Sequence, residues 1–199
     1  MKIGMSGGKI KLNKELNDLD KLVLDFVKIL DRNKVNYVLV SGYVSILFGR
    51  SRSSEDIDLI VEKISKKKFL ALWKEISKGF DCITTDDPEN AYRKYLAARA
   101  ALRFSRTGEV IPNMEFKFPK VRLESWVLGN GMEVLLNRRA IRISPVELQI
   151  PYKLFLASEK DIEDARYLYR LFKEKLDQEL LKYFLKKLDK EGAFNKYLQ

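Results

Sequence analysis

The segment that decides the fold is Ser54-Glu55-Asp56-Ile57-Asp58-Leu59-Ile60-Val61. Its apolar end predicts a buried strand, and alternation along a strand puts Asp56 and Asp58 on one face, about 6.5 to 7 Å apart at the backbone. Ile57 and Leu59 then point the other way, into a core. Two like charges on one face repel each other, and a bound cation removes that repulsion. The pair therefore predicts a divalent-metal site; the competing interpretation is a solvent-facing strand that happens to carry two acids.

The composition limits the chemistry that this chain can perform. It has 199 residues, 46% of them hydrophobic, and it contains no histidine and a single cysteine, Cys82. Ser-His-Asp and Cys-His catalysis and zinc sites rich in His or Cys are thereby excluded. One cysteine forms no internal disulfide, so we predict a cytoplasmic protein. No apolar run reaches the roughly 18 residues of a membrane span, so no membrane partner is expected.

The charge balance is strongly positive. Lys and Arg number 38 against 28 Asp and Glu, which gives a formal net charge of +10. Such a field attracts phosphate and other polyanions, and a solvated lysine-rich surface is the equally weighted alternative.

The periodicity of apolar residues predicts an α/β (α+β) fold. Helical spacing covers residues 15–33, and a strand over 36–41 is followed by a short helix that opens at Gly42. The remaining predicted strands are 56–62, 80–84, 101–105, 113–118 and a hairpin within 132–143, with 121–128 ambiguous. From residue 144 the pattern is helical, with Ser144 as the expected N-cap. We therefore predict a basic, loosely ordered segment over 1–14, an α/β core over 15–143 and a helical region over 144–199.

A small-residue turn precedes the acidic strand. Ser41 and Gly42 lie at a strand end, where small side chains let a phosphate approach backbone N–H groups at the start of the next helix. The loop between this turn and the acidic strand supplies cations and hydroxyl groups that suit a triphosphate, namely Arg50, Arg52, Ser53 and Ser54. Turn, basic loop and acidic strand together predict a site for a nucleotide and a metal ion.

These residues resemble a known signature. Val40-Ser41-Gly42, followed by residues 52–59, looks like the signature of the DNA polymerase β-like nucleotidyltransferase superfamily. That signature is an apolar residue, then Gly, then either Gly or Ser, followed about a dozen residues later by Asp-apolar-Asp-apolar. Ser41 stands where the first Gly is usual. The resemblance implies a small mixed-sheet core flanked by helices. It also implies that Asp56 and Asp58 bind Mg²⁺ (or Mn²⁺) and that the substrate is an NTP such as ATP.

The superfamily also uses a third carboxylate on a neighbouring strand. Glu115, in the alternating strand Asn113-Met114-Glu115-Phe116-Lys117-Phe118, is the best candidate, as a shared metal ligand or a general base. Weaker candidates are Asp81, Asp86 and Asp87.

Residues 151–165 resemble the late motif of the AbiEii-like and related stand-alone prokaryotic nucleotidyltransferases. In that resemblance Lys153 contacts the nucleotide phosphates, while Lys160, Asp161 and Asp164 shape the nucleotide site. The competing interpretation is an ordinary helix start whose acids favour the helix dipole.

The resemblance implies a Mg²⁺-dependent enzyme that moves an NMP from an NTP to a hydroxyl acceptor. RNA, such as a tRNA end, is the favoured acceptor, a protein hydroxyl is second and a small molecule third. It also makes a toxin with an antitoxin partner an expectation. The alternatives are a catalytically inactive nucleotide- or RNA-binding protein of the same fold, to which Ser41 and Glu115 would point, and a structural interaction protein.

Overall fold

The computed structural model describes residues 2–6 and 9–198, and its centre is one mixed sheet of nine strands. The strands are β1 (Lys2–Ser6), β2 (Lys9–Asn13), β3 (Tyr37–Leu39), β4 (Asp56–Val61), β5 (Phe80–Cys82), β6 (Leu102–Arg106), β7 (Asn113–Lys117), β8 (Met132–Leu136) and β9 (Arg139–Ile143). Their order across the sheet is β1-β2-β8-β9-β3-β4-β7-β6-β5. The pair β4–β7 is parallel, whereas β3–β4 and β6–β7 are antiparallel. The acidic strand β4 is thus near the middle, between β3 and β7.

Helices join these strands and make up the C-terminal region. They are α1 (Asp18–Arg32), α2 (Gly42–Leu47), α3 (Lys66–Ile76), α4 (Pro88–Asn90), α5 (Arg122–Gly129), α6 (Val146–Leu156), α7 (Glu159–Phe172), α8 (Gln178–Lys187) and α9 (Glu191–Leu198). A π-helical segment, Ala91–Leu96, continues α4. Side-chain caps start several of the helices: Asn17 forms a capping box at α1, and Ser65 and Ser158 accept backbone N–H groups at α3 and α7.

The two faces of the sheet bury different sets of residues. Ile57 and Leu59 of β4 are fully buried in the larger cluster, together with residues of α1 and α3, as the alternation predicted. On the other face, Ile60 packs in a smaller cluster with Val127 of α5 and Phe184 of α8. Asp56 and Asp58 have the same strand parity as Ile60, so the acids lie on the face that α5, α6 and α8 only partly cover.

The N-terminal prediction was wrong for the part that the structure describes. We expected residues 1–14 to be loosely ordered, but β1 and β2 form an antiparallel hairpin, and β2 pairs in parallel with β8. Ile10 and Leu12 are fully buried. The alternation in Lys9–Asn13 carries this signal, and burying two apolar side chains stabilises the strand. Met1, Gly7 and Gly8, which belong to the same predicted segment, lie outside the described residues.

The C-terminal region is helical from Val146 onward, with breaks near Ser158 and Leu176. Its start differs by one residue, because Pro145 is the N-cap and the Ser144 hydroxyl donates to the Pro145 carbonyl instead. Of residues 121–128, ambiguous from sequence, Val121 is the N-cap of α5 and the rest lie within that helix. Within the part of the chain that the structure describes, no helix combines the length and apolarity needed to cross a bilayer.

Candidate functional site

The small-residue turn and the acidic strand are held side by side by the sheet. β3 pairs with β4 in antiparallel register, Leu39 opposite Leu59. Beyond that pair, the Val40 N–H donates to the Asp58 carbonyl oxygen at 3.0 Å. Ser41 therefore begins the turn into α2 immediately beside Asp58, although the two are 17 positions apart in sequence.

The backbone at Ser41 explains why glycine suits this position. Its φ of 61° and ψ of −135° put a residue with a side chain in a region that glycine adopts most readily. The resemblance has glycine there, so the departure at Ser41 carries backbone strain of about 1 to 3 kcal/mol.

Gly42 is required for a different reason, namely a close approach. The Arg52 guanidinium lies against its Cα, so that a Cβ added at Gly42 would come within 3.0 Å of Arg52 Cζ and closer still to Nη2. Arg52 Nε also lies 3.4 Å from Asp164 Oδ1, and Arg50 pairs with the same carboxylate. Both predicted arginines thus converge on Asp164 of α7, and Arg52 covers the turn.

The three predicted carboxylates lie on adjacent strands. In the parallel pair β4–β7, Asp56 is opposite Asn113 and Asp58 is opposite Glu115, so Glu115 is the direct neighbour of Asp58 on the acidic face. Their side chains are part-exposed, at 47% for Asp56, 25% for Asp58 and 19% for Glu115.

Lys117, which lies outside the predicted motifs, bridges two of these acids. Its Nζ lies 2.7 Å from Asp58 Oδ1 and 3.2 Å from Glu115 Oε1. Burial by itself would lower the pKa of Lys117, but the two carboxylates outweigh it and raise that pKa. The alternation of β7 carried the signal, because Glu115 and Lys117 are two residues apart and share a face.

Two further polar residues complete this surface. Asn113 Nδ2 donates to Asp56 Oδ1 at 2.8 Å. Arg103 of β6, opposite Glu115 in the sheet, lies 3.3 Å from Glu115 Oε2 and 3.8 Å from Asp56 Oδ1. Three carboxylates therefore face two cations and an amide.

The oxygen atoms of this face are of the chemical type that suits a hard divalent cation, and Asp56 and Asp58 are the residues that would hold it. Carboxylate oxygens are the ligands that Mg²⁺ prefers, and it completes its shell with phosphate and water. Within residues 2–6 and 9–198, however, no three acids, histidines or cysteines are grouped around one point as a ready-made metal site. Glu115 is engaged by Lys117 and Arg103, so it is not a free third ligand in this conformation.

The late motif forms a buried ion cluster. Lys153 is 1% exposed, and its Nζ lies 2.7 Å from Asp161 Oδ1 and 2.9 Å from Asp164 Oδ2. Burial by itself raises the pKa of Asp161, but hydrogen bonds from Lys153 and Ser158 outweigh it and hold that pKa below its usual value. The Lys153 ammonium is enclosed, so this geometry gives it a supporting position and no direct path to a phosphate.

The remaining predicted loop and helix residues have varied positions. The Ser54 hydroxyl donates to the Asp56 carbonyl at 2.9 Å and shapes the start of β4, while Ser53 is exposed. Lys160 is exposed, and its carbonyl accepts from Arg50 Nη1 at 3.3 Å.

The weaker candidates for a third carboxylate lie elsewhere. Asp81 is on edge strand β5, where it accepts the Gly108 N–H, and Asp87 caps α4. Asp86 is exposed near that cap.

A cavity of about 220 Å³ opens beside the acidic face. Ser41, Asp58 and Lys117 line its polar side, while Leu123 of α5 and Tyr152 of α6 belong to its other walls. Gln149, also in the lining, is 2% exposed, and its Nε2 has no hydrogen-bond partner among the described residues. A cavity with apolar walls and a few polar groups has the chemistry of a small-molecule site.

Comparison with known proteins supports the fold. No protein-family model matches the sequence, and no curated protein matches it either. Among solved structures, the chain is similar to an antigenic nucleotidyltransferase-like protein from Paracoccidioides brasiliensis, at 17% sequence identity and a TM-score of 0.55. The match covers 91% of this chain and 92% of that one. The chain thus has a nucleotidyltransferase-like α+β fold, as its sequence predicted.

Proposed function

We propose that this protein transfers a nucleoside monophosphate from an NTP to a hydroxyl acceptor, in a reaction that depends on Mg²⁺ or Mn²⁺. The observation that carries the proposal is the Val40–Asp58 hydrogen bond, which fixes the Ser41–Gly42 turn against the acidic strand at the edge of the cavity. A nucleotide in that cavity would meet the phosphate-compatible backbone at Ser41 and, directly beside it, the Asp58 carboxylate that suits a metal ion.

The residues divide into four roles. Asp56 and Asp58 would hold the cation, which when bound offsets the charge of the triphosphate. The Arg52 guanidinium covers Gly42 and supplies positive charge at the turn. Glu115, beside Asp58, would act near the attacking hydroxyl as a base or, once released from Lys117 and Arg103, as a shared ligand. Lys153, Asp161 and Asp164 anchor the arginine loop and thereby position it.

RNA remains the favoured acceptor, and one surface near the cavity supports it. Phe155 is 50% exposed and stacks with Tyr152 of the cavity wall, with ring centroids 5.9 Å apart. Lys190 Nζ lies 5.7 Å from the Phe155 ring centroid, and Lys187 Nζ lies 5.1 Å from that of the exposed Tyr183. Exposed aromatic rings accompanied by lysines suit stacked bases and a phosphate backbone.

The proposal is tested with α-labelled NTPs, Mg²⁺, and total RNA or total protein as acceptor. Asp58→Asn should reduce label transfer by about a hundredfold or more, because the metal-binding charge is lost, while circular dichroism shows an unchanged fold. Asp25→Asn is the matched control, since Asp25 pairs with Arg106 away from the site. Full transfer by Asp58→Asn, or no transfer by the wild type to any acceptor, would overturn the enzyme proposal.

The identity of the labelled product separates the acceptors. Label in RNA supports the favoured acceptor, label in protein supports the protein hydroxyl, and label in neither directs the search to small molecules. If RNA is the acceptor, the double variant Phe155→Ala/Tyr183→Ala should raise the KM for RNA by about tenfold without changing NTP affinity. Ile83→Ala, an exposed apolar residue that follows edge strand β5, is the control.

A second candidate function is nucleotide or RNA binding without catalysis. The observation that favours it is the pair of salt bridges from Lys117, which offsets part of the charge of Asp58 and Glu115 without a metal. This candidate predicts that labelled NTP binds and no label is transferred. A toxin role with an antitoxin partner stays a prediction of the sequence resemblance, tested by whether expression of the active chain arrests growth while Asp58→Asn does not.

A further inference from the structure

The acidic face already has its own cations in the protein alone, which offset most of its negative charge. Without cations, three carboxylates on adjacent strands would repel one another. Lys117 lies within salt-bridge distance of Asp58 and Glu115, and Arg103 lies within that distance of Glu115 and Asp56. The two cations differ in burial, because the Lys117 side chain is 17% exposed and that of Arg103 is 50% exposed. Lys117 is therefore the inner cation of the face.

A divalent cation and the Lys117 ammonium compete for the same oxygen atoms. A Mg²⁺ ligand lies about 2.0 to 2.1 Å from the ion, with little tolerance in geometry. Lys117 Nζ is 2.7 Å from Asp58 Oδ1, so a metal on that oxygen would lie next to a positive charge. Repulsion between these charges in a part-buried site is strong.

From this geometry we infer that Lys117 is an exchangeable internal cation: a divalent metal binds Asp58 by displacing the Lys117 ammonium, which then turns into the adjoining cavity. The inference rests on the proposed function for the identity of the metal, but it concerns a residue outside the predicted motifs. Lys117 would then have two positions. In the metal-free protein its ammonium pairs with the Asp58 and Glu115 carboxylates, and in the metal-bound protein it faces the triphosphate in the cavity.

The cavity gives the displaced ammonium a place to go. Lys117 is part of its lining, together with Ser41 of the phosphate-compatible turn. A lysine is a point charge on a flexible four-carbon stem, so its ammonium can move several ångströms while its backbone stays in the sheet. In the cavity it would meet the triphosphate of the proposed substrate, so metal entry and phosphate binding would be coupled.

The test measures Mn²⁺ affinity by electron paramagnetic resonance with no nucleotide present. Lys117→Met removes the competing charge at similar length, so Mn²⁺ should bind about tenfold or more tightly than to the wild type. Lys117→Arg keeps a cation and should stay within about twofold of the wild type. Lys68→Met is the matched control, because it removes an ammonium paired with Glu62 at 3.4 Å outside the site. Equal Mn²⁺ affinity in Lys117→Met and wild type would overturn the inference.

A measurement on the wild type covers the case in which Lys117→Met does not fold. Lysine side chains labelled at Cε are followed by NMR as Mg²⁺ is added, with Lys117→Arg used to assign the resonance. The Lys117 signal should shift as the site fills and those of surface lysines should not. Metal binding that leaves this signal in place, or no metal binding at all, would overturn the exchange.

These outcomes are separable from the proposed function. If Lys117→Met binds Mn²⁺ more tightly but the wild type transfers no label, the exchange is supported and the enzyme proposal is wrong. If the wild type transfers label but Lys117 neither moves nor competes with the metal, the exchange is wrong and the enzyme proposal stands.

Discussion

The Arg52 guanidinium packs against the Cα of Gly42 so closely that a side chain at this position would displace it. Gly42→Ala should therefore push Arg52 away from the turn and from Asp164. The atoms that must move are the free end of the Arg52 side chain, so we expect a loss of about 1 kcal/mol in the free energy of unfolding, at the low end of the cost of overpacking, measured by urea denaturation. Gly192→Ala is the control, since its Cβ would meet nothing within 4 Å and alanine favours the helix α9. Equal stability of Gly42→Ala and wild type would show that Arg52 moves without cost.

Ser41→Gly should stabilise the protein. The positive φ of Ser41 is strained for a residue with a side chain, and glycine relieves that strain. Against this, glycine adds conformational freedom to the unfolded chain, at a cost of about 0.4 to 1 kcal/mol. We expect a net gain of about 1 kcal/mol in the free energy of unfolding. Ser51→Gly, in the exposed loop and without a positive φ, should only lose stability. A loss at both positions would contradict the strain at Ser41.

Lys153→Met should destabilise the protein strongly. It removes the buried ammonium that pairs with Asp161 and Asp164 and leaves their carboxylates short of a partner. Loss of one partner from a buried ion pair costs about 3 to 5 kcal/mol, which chemical denaturation measures. Lys78→Met, at an exposed pair with Glu75, should change stability by less than about 0.5 kcal/mol. A small effect at Lys153 would mean that the cluster rearranges around the gap.

Cys82 should react slowly with alkylating reagents near neutral pH. Its side chain is half-buried, and burial raises the pKa of the thiol, although hydrogen bonds around Thr84, Thr85 and Arg103 lower it in part. A raised pKa means less thiolate at a given pH, so the rate of iodoacetamide labelling should reach half its maximum at a higher pH than in the unfolded chain. Identical pH profiles for the native and the urea-unfolded protein would contradict this prediction.

Much of the site could be predicted because its signals are local. Alternation along β4 puts Asp56 and Asp58 on one face and buries Ile57 and Leu59, and the structure has this arrangement. Glu115 was selected by resemblance, and the parallel register of β4 and β7 places it beside Asp58.

The pairings that complete the site were not local. Arg103 reaches Glu115 because β6 and β7 are antiparallel in one particular register. The register between two strands cannot be predicted from the sequence of either strand alone. The burial of Lys153 was missed for a related reason. A lone lysine belongs at the surface, and only pairing with Asp161 and Asp164 makes a buried one tolerable.

The parallel pairing of β2 with β8 has a consequence for how the chain folds. Ile10 lies opposite Val134, and the Asn137 side chain bonds both the N–H and the carbonyl of Lys14. These contacts join residues more than 120 positions apart, so the first hairpin has no sheet to join until β8 has left the ribosome. During synthesis this hairpin is therefore docked only after more than 120 later residues have been made. Until then its apolar Ile10 and Leu12 are exposed, and nascent chains are open to chaperone capture at this hairpin.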